Sequence, residues 1–239
     1  MPNTLRSCIV AESGYTLVVL DASQIELRVL AILSGDPRML EDLKTGDLHK
    51  ATAIRMYGLS DDPDEMKKRR YRAKTGNFAT VYGAGSFQLA ATFQCSEEEA
   101  QEFLDEHKAT YPRLYQWMEE VKAQAREDGF VKTMLGRIRP IPEIHSGIWK
   151  LREKAEKESV NTIVQGSAVD IVKMMMLYLR SILDKSVRLV LQVHDEMVWE
   201  VPDHLVEQTL EICKELIPAF PDYPTKIETG KCYGELKGI

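Results

Sequence analysis

The sequence predicts an α+β protein: an antiparallel sheet domain with a helical region inserted into it. Three observations carry this. A short β-branched apolar run lies near the start, two alternating runs lie near the end, and a helical pattern fills the chain from about Gly35 to Gly129. TLVVLD (Thr16 to Asp21) is apolar and ends in an acid, as a buried strand does when its last residue emerges at the sheet edge. From Ile25 to Gly35 the apolar residues fall at helical spacing and stop on a glycine, so a helix follows the strand directly.

The helical region is punctuated at Gly35-Asp36-Pro37, Gly58, Asp61-Asp62-Pro63, Gly83-Ala84-Gly85 and Tyr111-Pro112. Ser96 followed by Glu99 is a capping box that opens an acidic helix. Next come a strand-like piece (Phe130 to Met134), a basic loop (Gly136 to Pro142) and a long helix from about Ile148 to Leu183. RLVLQV (Arg188 to Val193) and MVWEV (Met197 to Val201) flank His194-Asp195-Glu196 and predict a hairpin. A helix from about Asp203 to Leu216 and a strand near Lys226 to Tyr233 close the chain.

Composition bounds the function. In 239 residues, 31 Lys plus Arg against 37 Asp plus Glu give a net charge of −6, which argues against a basic arm holding nucleic acid by bulk charge. With 44% hydrophobic and 28% charged residues the chain reads as globular, one large domain or two small ones. Cys8, Cys95, Cys213 and Cys232 form no metal-ligand spacing and are expected to be reduced and mostly buried. The start has no apolar signal region, which implies an intracellular protein. Thr75 to Ser96 is uncharged, but its amides and three glycines speak against a membrane span.

Three constellations bear chemistry. Asp21 and Asp195-Glu196 are acids at strand ends; they suit divalent cations in two-metal phosphoryl transfer, or they are solvated turn residues. In KKRRYRAK (Lys67 to Lys74) six of eight residues are basic, and Arg70, Lys74, Phe78 and Tyr82 follow at intervals of four. Two cations and then two aromatics on one helix stripe suit a nucleotide, although a solvated face with core-packing aromatics gives the same pattern. Lys157, Asn161 and Gln165, again four apart, can read minor-groove acceptors or serve polar packing.

These segments together resemble family A DNA polymerases. DASQIELR (Asp21 to Arg28) is similar to motif A, RYRAKTGNFATVYG (Arg70 to Gly83) to motif B and QVHDE (Gln192 to Glu196) to motif C. Asn161 to Asp170 and Leu48 to Ala53 match further family segments, so the resemblance runs from about Leu5 to the C-terminus. It implies a palm in 1–35 (motif A) and 130–239 (motif C), with fingers in 36–129 (motif B). It implies two Mg²⁺, or Mn²⁺ in their place, on Asp21, Asp195 and the Ala22 carbonyl, with Glu196 an accessory acid. Arg70 and Lys74 would hold the triphosphate, Lys74 also acting as general acid, with Phe78, His49, Gln24 and Ile25 beside the nucleotide. Glu26 and Tyr82 would exclude a ribose 2′-hydroxyl. Lys157, Asn161, Gln165, His194 and Gln192 would contact the primer-template. The implied partners are DNA primer-template and deoxynucleoside triphosphates, with no membrane, in the cytoplasm of a bacterial or phage-infected cell.

The sequence departs from the family pattern at Ala22, where an aromatic is common, and at Gly76 and Ala79, where an apolar residue and a glycine are usual. Lys157 stands where the family has Arg and cannot make an arginine's bidentate fork. The chain starts about 20 residues before Asp21, so the resemblance implies that the thumb and the exonuclease-like domain are absent. A fragment, half of a split enzyme whose other polypeptide carries the thumb, and a remnant all fit that expectation. A noncatalytic nucleic-acid-binding subunit and a metal-dependent nuclease or phosphatase stay open as other classes of function.

Overall fold

The computed structural model describes residues 3–220 and 222–239. In chain order the elements are α1 (Asn3–Arg6), β1 (Tyr15–Ala22), α2 (Ile25–Ser34), α3 (Pro37–Leu43), α4 (Leu48–Tyr57), α5 (Pro63–Val81), α6 (Ser86–Phe93), α7 (Glu97–Thr110), α8 (Pro112–Asp128), β2 (Phe130–Lys132), β3 (Ile138–Pro140), α9 (Trp149–Ile182), β4 (Arg188–Val193), β5 (Glu196–Pro202), α10 (Val206–Lys214), α11 (Leu216–Ala219), β6 (Thr225–Gly230) and β7 (Lys237–Gly238). They form two compact units. A sheet unit joins both ends of the chain, up to Ile25 and from Ala168 onward, and a helical unit runs from Glu26 to Ser167. The boundaries fall at the first residue of α2 and within α9.

The sheet unit is built on five antiparallel strands in the order β4-β5-β1-β6-β7. β1 lies at its centre because its apolar run has no polar face to offer water: Leu17, Val18, Val19 and Leu20 are each at most 1% exposed. Leu17 and Val19 pack with Val198 and Tyr233, and Ile9, Ala11, Leu191 and Leu236 close around them. The register pairs Asp21 with Glu196 on one side and with Lys226 on the other, so strand pairing alone brings the motif A acid beside the motif C acids. The first turn expected in the closing helix is instead a 3₁₀ turn, Asp203–Leu205. Asp203 faces back to the sheet there, accepting hydrogen bonds from Thr16 Oγ1 at 2.7 Å and Lys231 Nζ at 2.5 Å.

In the helical unit the turn signals resolve into caps. Asp36, Asp47 and Asp62 each accept N-terminal amide hydrogens of α3, α4 and α5. Asp36 caps twice: Oδ1 accepts from Arg38 N and Met39 N of α3, while Oδ2 accepts from Arg113 N and Leu114 N of α8, whose own N-cap Tyr111 offers no side-chain cap. The Ser96/Glu99 capping box forms as expected. Part of the basic loop turns out to be a strand, β3, because Phe130 to Lys132 supplies a partner for it.

One expectation changes, that of mostly buried cysteines. Of the cysteines only Cys213 is buried; Cys8 is exposed, and Cys95 and Cys232 are intermediate. The uncharged stretch from Thr75 to Ser96 is divided between α5 and α6 at the turn around Gly83. Among the described residues one helix, α9, is long and apolar enough to cross a membrane by length and composition, and 50% of its most apolar window is buried.

Candidate active site

In the sheet unit Asp21 stands one residue before the end of β1, and Ala22 N donates to the Asp195 carbonyl at 3.2 Å. β4 and β5 are joined by only two residues, His194 and Asp195, so Glu196 belongs to β5 rather than to the turn. His194 has φ 55°, the left-handed conformation that a tight hairpin needs and that glycine usually provides. Gln192 Nε2 donates to the His194 carbonyl at 3.1 Å and holds the turn. Gln24 is also left-handed, at φ 56°, where the chain passes from β1 to α2, and its Oε1 is buried without a hydrogen-bond partner among the described residues. Two non-glycine residues in this conformation beside paired acids mark strain held in place at a site. Ile25 and Ala22 are buried and form the floor of this corner.

Burial, then the charges of Asp195 and Glu196, push the Asp21 carboxyl up to about 6. Burial and Glu196 also raise Asp195. These acids repel one another and lack enough local positive charge. Glu196 is differently engaged: the Tyr233 hydroxyl donates to it, the Arg6 guanidinium lies 3.2 Å away, and Arg6 sits over the Tyr233 ring at 4.7 Å. Arg6 and Tyr233 carried no motif signal. They come from the two ends of the chain, joined by the Val10↔Cys232 bridge, and only the fold reveals them.

Among the described residues no group of three or more His, Cys, Asp or Glu is arranged to hold a metal ion. That is compatible with Mg²⁺, which binds through one or two carboxylates and completes its shell with water and substrate phosphates. The donor set of Asp21, Asp195 and the Ala22 carbonyl fits this hard-oxygen chemistry, and the unrelieved repulsion between the acids is what a cation would remove. Glu196 is held by Arg6 and Tyr233, and its charge adds to the repulsion felt by Asp21 and Asp195.

In the helical unit α5 carries the cationic and aromatic stripe, with Tyr82 as its C-cap. Arg70 Nε pairs with Asp47 at 2.7 Å, and Asp47 caps α4, whose first turn holds His49. Burial, then the Arg70 charge, pushes His49 down to about 4, so its imidazole is neutral beside the Arg70 and Lys74 cations. The His49 and Phe78 rings lie 5.6 Å apart. Lys74 is exposed and Phe78 half-buried, so the aromatics are not simply core. Arg70 and Lys74 also line an open groove of about 1070 Å³ with Lys68, Arg72 and Phe93.

Further along, the Tyr82 hydroxyl donates to Glu26 at 3.4 Å and accepts from Gln165 Nε2 at 3.1 Å, so the two expected sugar-gate residues meet one of the expected minor-groove residues. Asn161 Oδ1 is buried without a hydrogen-bond partner among the described residues, while Lys157 pairs with Glu153 at 2.9 Å. Gly83 has φ 65°, and a Cβ there would meet Lys157 Cγ at 2.8 Å. Sequence reasoning missed Asn77, which is 2% exposed and bonded to both His49 and His107. A buried Asn between Lys74 and Phe78 on a helix face was the available clue.

A sequence model of DNA polymerase family A matches residues 1–233. The chain belongs to this family. It is 40% identical over 232 residues to DNA polymerase I of Pseudomonas aeruginosa, covering 95% of this chain and 25% of that protein. With the thermostable DNA polymerase I of Thermus aquaticus it shares 37% identity over 230 residues, 95% of this chain and 28% of that protein. The POL domain of Pol1 from M. smegmatis, solved in complex with DNA primer-template and dNTP, superposes with a TM-score of 0.89 at 31% identity, over 97% of this chain and 42% of that one. The chain thus spans about a quarter of the length of these curated relatives.

Membership gives the departures a structural meaning. In this family A chain Gly76 makes room for Phe103 of α7: a Cβ there would lie 2.0 Å from Phe103 Cζ. Ala79 packs beside the same ring, in the cluster of Met56, Leu89, Ala90 and Ala100. The space beside Gly76 on α5 is filled by the Phe103 ring of α7.

Proposed function

We propose that this chain carries the palm and fingers of a family A DNA polymerase and adds deoxynucleotides to a primer 3′-hydroxyl under direction of a template. The palm reading takes in residues 1–35 and 130–239, and the fingers reading 36–129. The observation that carries the proposal is the register Asp21↔Glu196, locked by the Ala22 to Asp195 main-chain bond, in a chain of this family. Asp21, Asp195 and the Ala22 carbonyl would hold Mg²⁺. Two such ions, when bound, supply acidification of the primer hydroxyl and neutralisation of the triphosphate.

The chain's own residues do the rest. Arg70 and Lys74 hold phosphate oxygens by charge-assisted bonds, and Lys74, unpaired among the described residues, can deliver a proton to the departing pyrophosphate. Phe78 packs on the nucleotide, and Glu26 with Tyr82 closes the space a 2′-hydroxyl would need. Asn161 and Gln24, each with a buried unpaired oxygen, have hydrogen-bonding capacity left for DNA or nucleotide. Gln165, Lys157, His194 and Gln192 complete the primer-template contacts.

Primer extension with Mg²⁺ and deoxynucleotides tests this. Template-directed growth that disappears in Asp195→Ala is the expected result. Strand shortening would make the chain a nuclease, and duplex binding with no extension would make it a binding subunit. Glu26→Ala should raise ribonucleotide incorporation; unchanged sugar discrimination would remove Glu26 from the gate.

A further inference from the structure

Asn77 is the hub of a buried hydrogen-bond network in the helical unit, and the network decides which nitrogen of His49 carries a proton. The Thr52 hydroxyl has one hydrogen, and two oxygens each 2.8 Å away can take it: the Leu48 carbonyl, which can only accept, and the Tyr111 hydroxyl, whose own hydrogen goes to Asp42. Thr52 Oγ1 therefore accepts from Asn77 Nδ2, at 3.1 Å. With the amide oriented in this way, Nδ2 also donates to His49 Nδ1 at 3.3 Å, and Oδ1 accepts from His107 Nε2 at 2.9 Å. His107 Nδ1 in turn accepts from the Tyr115 hydroxyl at 3.1 Å. Asn77, Thr52, His49 and His107 are each at most 3% exposed, so water does not compete for these bonds.

His49 is neutral, and its Nδ1 is committed as an acceptor, so its proton resides on Nε2. Among the described hydrogen bonds none uses that Nε2. It lies where Arg70 and Lys74 make the surroundings positive, which favours an anion and disfavours a second proton on the ring. A neutral histidine can bind phosphate only through N–H, and of its two tautomers only the Nε2–H form leaves a donor outside the network. We propose that Asn77 is a positioning residue that locks His49 as an Nε2–H donor to a phosphate of the incoming nucleotide, with His107 and Tyr115 locking Asn77 in turn. The inference rests on the polymerase reading for the identity of the anion. It adds the relay from α7 and α8, through α5, to the first turn of α4.

Ring-¹⁵N histidine spectra of the chain report the tautomer directly, and titration with Mg·dATP reports affinity. The wild-type chain should show neutral His49 protonated on Nε2, with that nitrogen shifting as nucleotide binds. Asn77→Asp presents an acceptor to Nδ1, so the proton should move there and nucleotide affinity should fall about ten-fold, the loss of one bond to a charged group. Should Asn77→Asp fail to fold, a His107 pair reads the same relay. His107→Phe, which leaves Asn77 Oδ1 without its donor, should weaken binding several-fold, and His107→Gln, which restores one, should recover it. A wild-type His49 protonated on Nδ1, or nucleotide affinity indifferent to Asn77→Asp and His107→Phe, overturns the inference alone. A wild-type chain that does not bind Mg·dATP overturns both this inference and the polymerase reading.

Discussion

Both units bury polar groups, and they treat them in opposite ways. In the sheet unit Asp21, Asp195 and Glu196 crowd together, and burial with mutual repulsion raises Asp21 to about 6. In the helical unit His49, His107, Asn77, Thr52 and Tyr111 are joined by hydrogen bonds to one another and to Asp42 and Tyr115, and burial keeps the histidines neutral, each at about 4. The sheet unit's cluster is electrostatically incomplete. The helical unit's network is nearly self-sufficient and leaves one donor over. Uncompensated charge is what an added cation would relieve, whereas compensation fixes geometry.

The largest effect should come from the incomplete side. Asp21→Asn or Asp195→Asn should lower nucleotide addition by roughly a thousand-fold or more, as expected for loss of a metal-binding carboxylate. The same changes should leave the folded chain at least as heat-stable in the absence of divalent ions, because they remove repulsion. Mg²⁺ should raise the melting temperature of the wild type and not of either variant. A large drop in melting temperature without Mg²⁺ would mean that the acids are structural partners, and the contrast between the units would collapse.

Next in size is the double cap. Asp36→Ala leaves four amide hydrogens on two helices unsatisfied and should cost about 3 kcal/mol in denaturant unfolding. Asp36→Asn keeps one acceptor oxygen and should cost about half of that.

The compensated side makes its own prediction through pH. Unfolded His107 takes up a proton near 6.5, and folded His107 only near 4, because burial disfavours the imidazolium. Between those values the unfolded chain binds more protons. Stability is therefore complete above about 6.5, falls as pH drops through this window by up to about 3 kcal/mol, and levels off below about 4. His107→Gln should remove the His107 share of this dependence and leave the share of His49, which is pushed down to the same value. An unchanged acid profile in that variant would show that His107 does not carry the penalty.

Smallest is Gly76→Ala, expected to cost about 1–2 kcal/mol by overpacking against Phe103, with Phe103→Leu restoring part of the loss.

Much of this was legible in the residues. The central strand, the helix that follows it, the capping box and the hairpin showed in period and punctuation, because each rests on local chemistry. The acids were legible for the same reason: Asp21 near the end of one strand and Glu196 at the start of another come together once the two pair antiparallel. The hidden parts depend on partners distant in sequence. Nothing near Glu196 announces Arg6 or Tyr233, the Asp36 cap on α8 needs two turns brought together, and Asn77 acquires meaning only through His107. Cysteine burial was misjudged for a related reason, since small sulfur-bearing side chains follow whatever surface the long-range fold leaves them.

The meeting of Gly76 with Phe103 bears on how chains of this family can be recombined. The stretch from Arg70 to Gly83 looks like a portable cassette, since its signature residues repeat at regular intervals. Here it is not portable by itself. A donor cassette with a branched apolar residue at position 76 would drive that side chain into a ring supplied by another helix. The smallest unit that can be exchanged between this chain and a relative is therefore the pair α5 and α7, transferred together as lock and key.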